Sequence, residues 1–392
     1  MKNILFYFLL PFCITIISCG NNKQANSAAT PREVVKYPEK GDMYLLTDRP
    51  PQLETPLNIL RQDITPNEYF FVRWHLSQIV TKIDIDTFRL YINGDVDKQL
   101  TLSMNDLKTK FAPDSVIALA ICSGNSRSTF SPKVPGSQWG NGAMGNAKWK
   151  GVRLKDILAM AGVKNGAINV SFQGMDKGAL PGVPNFVKSL ELSHAMDGEV
   201  LVAYEMNGEP IPMLNGYPLK LVVPGWYATY WVGSLNTVNV LADTFHGFWM
   251  DKAYQVAKNP ALNESPDSLS KSTVPLTNIN LHSIFVEPEP GDTVTVNKPR
   301  LVEGLAFNDG ARIQKVEVSF DNGKTWMETK LNPELGKYSW RRWKCDWTPK
   351  TAGRYHLCVK ATDEKGRTQP DKQWNRSGYA RDFIEHLDVT VN

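Results

Sequence analysis

Cys122-Ser123-Gly124-Asn125-Ser126-Arg127 puts a thiol, a glycine and a guanidinium in one short stretch. Glycine lets backbone N–H groups approach an anion closely. Arginine fixes an oxyanion through its planar fork. Close to Cys122, the Arg127 charge also favours the thiolate, which acts as a nucleophile or as a ligand for a soft or high-valent metal. Three readings follow from the hexapeptide alone: a buried free cysteine beside a surface loop, a cysteine nucleophile working with a histidine base, or a metal ligand. Zinc is disfavoured, because no second Cys or His stands at finger-like spacing.

The run Gln138-Trp139-Gly140-Asn141-Gly142-Ala143-Met144-Gly145-Asn146-Ala147-Lys148-Trp149-Lys150-Gly151-Val152 is dense in Gly, Asn and Trp. Such a run can wrap a large polar ligand in backbone hydrogen bonds between aromatic walls. Further informative pieces are Phe70-Phe71-Val72-Arg73-Trp74-His75, Met206-Asn207-Gly208-Glu209, Leu214 to Pro224, and Gly247-Phe248-Trp249-Met250-Asp251-Lys252-Ala253-Tyr254. Taken jointly, these pieces resemble the sulfite oxidase family, and within it the bacterial periplasmic sulfite dehydrogenases. The resemblance runs from about residue 45 to 392.

That resemblance implies molybdenum held by a pterin dithiolene, molybdopterin, and by one protein thiolate, here Cys122. It implies that Arg73, His75 and Arg127 bind the sulfite dianion. Trp139 would wall the pocket, and Tyr254 would hydrogen-bond at the metal's open face. Cofactor contacts would fall to Phe71, Arg73, His75, Asn125, Asp176, Asn215 and Lys220. The vertebrate enzymes have histidine and arginine at the positions of Asn215 and Lys220. The family often carries Val-Lys after its Pro-Gly turn, where this chain has Val232-Gly233. One cofactor ammonium is therefore missing, and Lys220 is the nearby cation to replace it. The implied reaction is oxidation of sulfite to sulfate. The sequence holds no Cys-x-x-Cys-His, so no covalent c-type haem is expected. A separate cytochrome c would take the electrons one at a time. One alternative is a molybdenum-dependent reductase of S-oxides such as methionine sulfoxide, although those relatives lack a C-terminal sandwich. Another is a non-catalytic binding lipoprotein keeping only the fold, against which the intact Cys122 and Arg127 argue.

The elements that must position these residues are legible in part. Ile117-Ala118-Leu119-Ala120-Ile121 is an apolar run entering the Gly-rich loop, the pattern of a buried strand. Val152, Leu154, Ile157, Leu158 and Ala161 fall at helical spacing, with Gly162 as a stop. Ile168 to Phe172 and Leu219 to Val223 read as strands. Residues 45–275 are expected to form an α+β molybdopterin-binding domain, with 252–275 a linker or long surface loop. From 276 to 392 the pattern is all-β: Val316, Val318 and Phe320 alternate, Asp321-Asn322-Gly323 turns, and Leu387, Val389 and Val391 alternate at the end. That suggests an immunoglobulin-like sandwich, which corresponds to the family's dimerisation domain and implies a homodimer.

The 392 residues suit two folded domains and a leader. Net charge is +4 with both signs interspersed, and no basic stripe interleaves with aromatics, so nucleic acid is excluded as a partner. Lys2 followed by the apolar run Ile4 to Ile17 is too short to span a bilayer and reads as a signal peptide over 1–18. Ile16-Ile17-Ser18-Cys19-Gly20 resembles the bacterial lipobox, which makes Cys19 a lipidated residue and the protein exported and membrane-anchored on the periplasmic side. Residues 19–44 are expected to be a polar tether. Three cysteines remain, Cys122, Cys345 and Cys358. The last two flank Pro349-Lys350-Thr351-Ala352-Gly353 and could face each other across a hairpin, while Cys122 is free or ligated.

Overall fold

The structure is a computed structural model and describes residues 32–392. The signal peptide, Cys19 and the tether as far as residue 31 lie outside the described residues. The apolar run before the thiol loop is a strand, Pro113–Ile121, longer toward its N-terminus than the run itself. It pairs antiparallel with Met144–Arg153, from Pro113 opposite Val152 to Ile121 opposite Met144. Leu201–Met206 lies on the far side of Met144–Arg153 and also pairs with Lys220–Val222. A second five-stranded sheet runs in the order Val187–Glu191, Asn169–Gly174, Leu235–Leu241, Leu90–Gly94, Leu100–Leu102.

Helices are few and short among the described residues, so residues 45–275 are mostly β rather than an even α+β mixture. The longest is Leu154–Ala161, which buries Leu154, Ile157, Leu158 and Ala161. It stops at Gly162, whose φ of +69° closes the helix with N–H donation to Leu158 O at 3.1 Å. Val152 shares the helical spacing but ends the preceding strand, because its backbone pairs with Pro113 and Val202.

The tether expected over 19–44 does not extend through its last third. Val34–Lys36 and Asp42–Thr47 pair with each other, and the sheet continues through Gln52–Glu54 to Val72–Arg73. Met43, Leu53, Val72 and Trp74 form a small core beneath it. Of the apolar residues over 34–47 only Met43 is fully buried, and Val34 is exposed, so the segment lacks the clean alternation that would mark its strands. This sheet carries Arg73 and leads to His75.

The C-terminal part is a β sandwich. A four-stranded sheet, ordered His282–Glu287, Arg300–Phe307, Arg341–Trp347, Lys330–Leu331, faces a five-stranded one built on Ile313–Ser319, Gly353–Asp363 and Glu385–Val391. Between them lie Phe285, Val302, Val316, Val318, Trp343, Leu357, Val359 and Val389. At the Asp321-Asn322-Gly323 turn both Asn322 and Gly323 have positive φ. Cys345 and Cys358 sit on strands of different sheets and are free thiols, so the hairpin that could have joined them does not form. The 252–275 segment is not wholly loop: Gln255–Ala257 and Thr273–Pro275 form an antiparallel ribbon.

The sandwich and the central sheet share a core. Leu119, Ile121 and Met144 pack with Ile284, Val286, Leu305, Phe307 and Trp340. Leu119 N–H donates to Tyr338 O at 2.9 Å. The strand that delivers the thiol is therefore held from the C-terminal side. Among the described residues no helix is long and apolar enough to cross a membrane.

Candidate active site

Cys122 is the first residue beyond the strand Pro113–Ile121, and its N–H still donates to Ala143 O at 2.9 Å. The chain then turns tightly, with Asn125 N–H donating to Cys122 O at 2.9 Å and Arg127 N–H to Gly124 O at 3.1 Å. Ser126 sits in the left-handed region at φ 63° and ψ 17°, and a 3₁₀ turn Arg127–Thr129 follows. A Cβ at Gly124 would lie 2.5 Å from Arg127 Nη2 and displace the guanidinium from its present position. The missing side chain lets the guanidinium fold back over the loop.

Two cavities open from this point. The first is lined by Phe71, Arg73, His75, Cys122, Asp176, Asn215, Lys220 and Tyr254, with others. The second is lined by Arg73, Cys122, Arg127, Trp139, Arg376, Tyr379 and Tyr254, among others. Arg73, Cys122 and Tyr254 belong to both, so the thiol stands where the cavities meet.

One amine, Lys220, lines the first cavity, and Lys40 and Lys188 are buried behind its wall, against Asn215 and Tyr254. Burial pushes Lys220 down to about 8, and Lys188 and Lys40 down to about 7. Lys40 Nζ donates to Asn215 Oδ1 at 2.5 Å and to Asn67 O and Phe70 O at 2.8 and 3.0 Å. Lys220 Nζ donates to Asn215 O at 2.9 Å. Lys188 Nζ donates to Trp249 O at 2.8 Å and lies 5.3 Å from the Tyr254 ring centroid. Burial raises Asp176 to about 6, which makes its carboxyl a potential donor near neutrality. Ser123 Oγ, on the cavity wall, is buried with no hydrogen-bond partner. Such a cradle fits a polar group bearing negative charge, which would pair with Lys220 and give Ser123 a partner. No group of three or more His, Cys, Asp or Glu side chains among the described residues could hold a bare metal ion. A metal at Cys122 would thus arrive with ligands of its own.

The second cavity suits a small anion. Arg127 lies over the Tyr379 ring, and its Nη1 donates to Ser137 O at 3.1 Å. Arg376 is bidentate to Glu264, with N···O distances of 2.9 and 2.7 Å, and so enters the cavity already paired. Trp139, almost fully buried, forms part of the wall.

His75 sits with the cofactor contacts expected of it and apart from the anion contacts also expected of it. It stacks on Phe186 with ring centroids 3.7 Å apart, meets Tyr254 OH through Nε2 at 2.5 Å, and lines the first cavity rather than the second. Burial and the charges of Arg73, Lys188 and Lys220 hold its pKa well below the usual histidine value. A neutral ring adds no positive charge toward an anion. Asn125 departs from its expected role: its Oδ1 accepts from Ala143 N at 2.9 Å and its Nδ2 donates to Ser126 Oγ at 3.2 Å, and it lines neither cavity. The tight turn at Ser126 needs that internal bracing. Gly233, where an ammonium was missed, packs against Gly216 at backbone distance, a Cβ there meeting Gly216 Cα at 3.0 Å. Sequence reasoning missed Lys40, Lys188, Arg376 and Tyr379. Lys40 was read as tether, and Lys188 sits in a strand, Val187–Glu191, whose sequence gives no sign that the lysine is buried. For Arg376 and Tyr379 the run of Trp374-Asn375-Arg376-Ser377-Gly378-Tyr379 was the available signal.

Comparison with known proteins gives the family of the chain. The oxidoreductase molybdopterin binding domain family matches residues 76–249, and the Mo-co oxidoreductase dimerisation domain family matches residues 274–386. Mitochondrial sulfite oxidase of Rattus norvegicus is 34% identical over 363 residues, covering 88% of this chain and 65% of the relative. Sulfite oxidase of Gallus gallus is 31% identical over 349 residues, covering 85% of this chain and 74% of the relative. The chain thus spans about two thirds of the length of the mammalian relative. Among solved structures, the sulfane dehydrogenase SoxCD from Paracoccus pantotrophus superposes with a TM-score of 0.77 at 25% identity, covering 95% of this chain and 94% of that one.

Proposed function

The chain belongs to the sulfite oxidase family of molybdopterin-dependent oxidoreductases, and from that premise we propose that it oxidises sulfite to sulfate and passes the electrons to a separate cytochrome c. When bound, the molybdenum–molybdopterin group supplies the redox step in which sulfite and water become sulfate, two protons and two electrons. The observation that carries the reading is the position of Cys122 where a cavity lined by Asp176, Asn215 and Lys220 meets one lined by Arg127 and Arg376, with Arg73 in both.

In this reading the Cys122 thiolate holds the metal. Phe71, Asp176 and Lys220 line the space for the pterin, and the Lys220 amine meets the group's negative charge. Arg73 and Arg127 receive the substrate dianion with planar donor forks. Trp139 and Tyr379 limit water around it, so those charges act with little screening. Tyr254 spans both cavities and keeps a hydrogen bond with neutral His75. The match of residues 274–386 to a dimerisation domain supports a homodimer built through the sandwich.

The test is purified, molybdenum-loaded protein mixed with sulfite and oxidised cytochrome c. Reduction of the cytochrome that depends on sulfite is expected. No reduction, in protein shown to carry molybdenum, sinks the proposal, and the S-oxide reductase and non-catalytic readings both give that result. The likeness to SoxCD favours a sulfane sulfur as the second candidate substrate, and the same assay run with a sulfane donor separates the two.

A further inference from the structure

Ser126 adopts a left-handed backbone conformation between the thiol and the arginine. Without glycine's freedom that conformation costs of order 1 kcal/mol, and the surroundings must hold it. What holds it is a closed ring of buried polar contacts reaching the last strand of the chain. Ser126 Oγ donates to Asn141 Oδ1 at 2.5 Å. Asn141 Nδ2 donates to Glu385 Oε1 at 2.7 Å. Glu385 Oε2 meets Arg381 Nη2 at 2.5 Å. Arg381 Nε donates to Thr129 Oγ1 at 2.8 Å, which returns the ring to the turn that starts at Arg127. His282 lies inside against Arg381 and 3.8 Å from Glu385. Burial, then the Arg381 charge, lowers its pKa to about 4, so the ion pair is one cation with one anion.

Breaking even one partner of such a pair is costly, but an intact buried pair is weak evidence for stability. Its use is to fix geometry. None of the ring's members lines either cavity, so any effect they have on an anion there must pass through the loop. We propose that Asn141 and Glu385 are positioning residues, through which the C-terminal strand Glu385–Val391 sets the direction of Arg127 relative to Cys122. The proposal rests on the reading of Arg127 as the substrate-binding residue and deepens it.

The bridge can be broken and rebuilt. Asn141→Asp places a second carboxylate against Glu385 and should raise the KM for sulfite about tenfold, the loss of roughly one charged hydrogen bond. Molybdenum content should stay at the wild-type level. Glu385→Gln added to Asn141→Asp restores donor facing acceptor and keeps the ring's net charge, with the single carboxylate moved from 385 to 141. It should return KM to within about threefold of wild type. Sulfate affinity measured by calorimetry gives a readout free of turnover and should follow the same order. Should Asn141→Asp not fold, Ser126→Ala removes a single hydroxyl and should show the KM shift by itself. An unchanged KM in Asn141→Asp or Ser126→Ala overturns the proposal, as does a double variant no better than Asn141→Asp. Those outcomes leave wild-type turnover intact. A wild type that neither oxidises sulfite nor binds sulfate instead overturns the functional reading, and this proposal with it.

Discussion

The guanidinium carbon of Arg127 lies 5.0 Å from the ring centroid of Tyr379, so a side chain of the C-terminal sandwich closes over the loop that starts at Cys122. Arg127 donates to the carbonyls of Gly378 and Ser137, and among the described residues no carboxylate pairs with it. Its charge is therefore available to an anion. Replacing it by Gln keeps a donor and removes the charge. Hydrogen bonds to charged groups contribute roughly 1.5–3 kcal/mol. Sulfite kcat/KM should fall about 10- to 200-fold, at about 1.4 kcal/mol per decade. Most of the loss should appear in KM, because sulfite is already charged in the ground state. Kinetics within about twofold of wild type would remove Arg127 from the substrate site.

Tyr254→Phe deletes the hydroxyl that meets His75 Nε2 and leaves that nitrogen without this partner. A neutral hydrogen bond is worth about 0.5–1.5 kcal/mol, so kcat should drop about 2- to 12-fold with cofactor content unchanged. Steady-state kinetics beside metal analysis checks this, and a normal kcat contradicts a role for the pair.

The buried lysines predict a pH signature for the cofactor-free chain. Their folded pKa values of about 7 to 8 lie below the unfolded value of 10.5. Between those limits the unfolded chain binds more protons than the folded one, so stability rises with pH. The melting temperature of cofactor-free protein should climb from about pH 7 toward pH 10, as far as these groups govern it. A bound anionic cofactor keeps Lys220, which lines the cavity, charged when folded and should reduce that rise. Parallel melting curves for the two forms, equal in slope across this window, would contradict the anionic cradle.

How far the sequence reaches is seen at particular residues. The strand before Cys122 and the Gly162 helix stop were legible because each follows from local pattern: an apolar run and a glycine at the end of a helical stripe. The gathering of Arg73, Cys122, Asp176, Lys220 and Tyr254 at one cavity came from family resemblance, since their separations in the chain carry no periodic signal. The strands at 34–47 were hidden because few apolar residues bury there, and Lys40 went with them. His75 was read by type as a cation, whereas its charge depends on Arg73, Lys188 and Lys220 around it, which only the fold assembles. Asn125 looked like a ligand contact and is a brace, a distinction set by where its amide points.

The proposed lipid anchor at Cys19 predicts that wild-type protein sediments with membranes and that Cys19→Ala is released with unchanged specific activity. Cell fractionation with an activity assay decides it. Wild-type protein found wholly in the soluble fraction without detergent defeats the anchor.

The central claim is that Cys122 binds the metal at the junction of the two cavities. X-ray absorption at the molybdenum edge counts sulfur neighbours directly. The account predicts that Cys122→Ser loses one sulfur from the metal's shell relative to wild type while retaining the dithiolene pair, and that sulfite turnover collapses with it. A sulfur count unchanged by Cys122→Ser, in protein of equal molybdenum content, would show that the thiol is not the ligand.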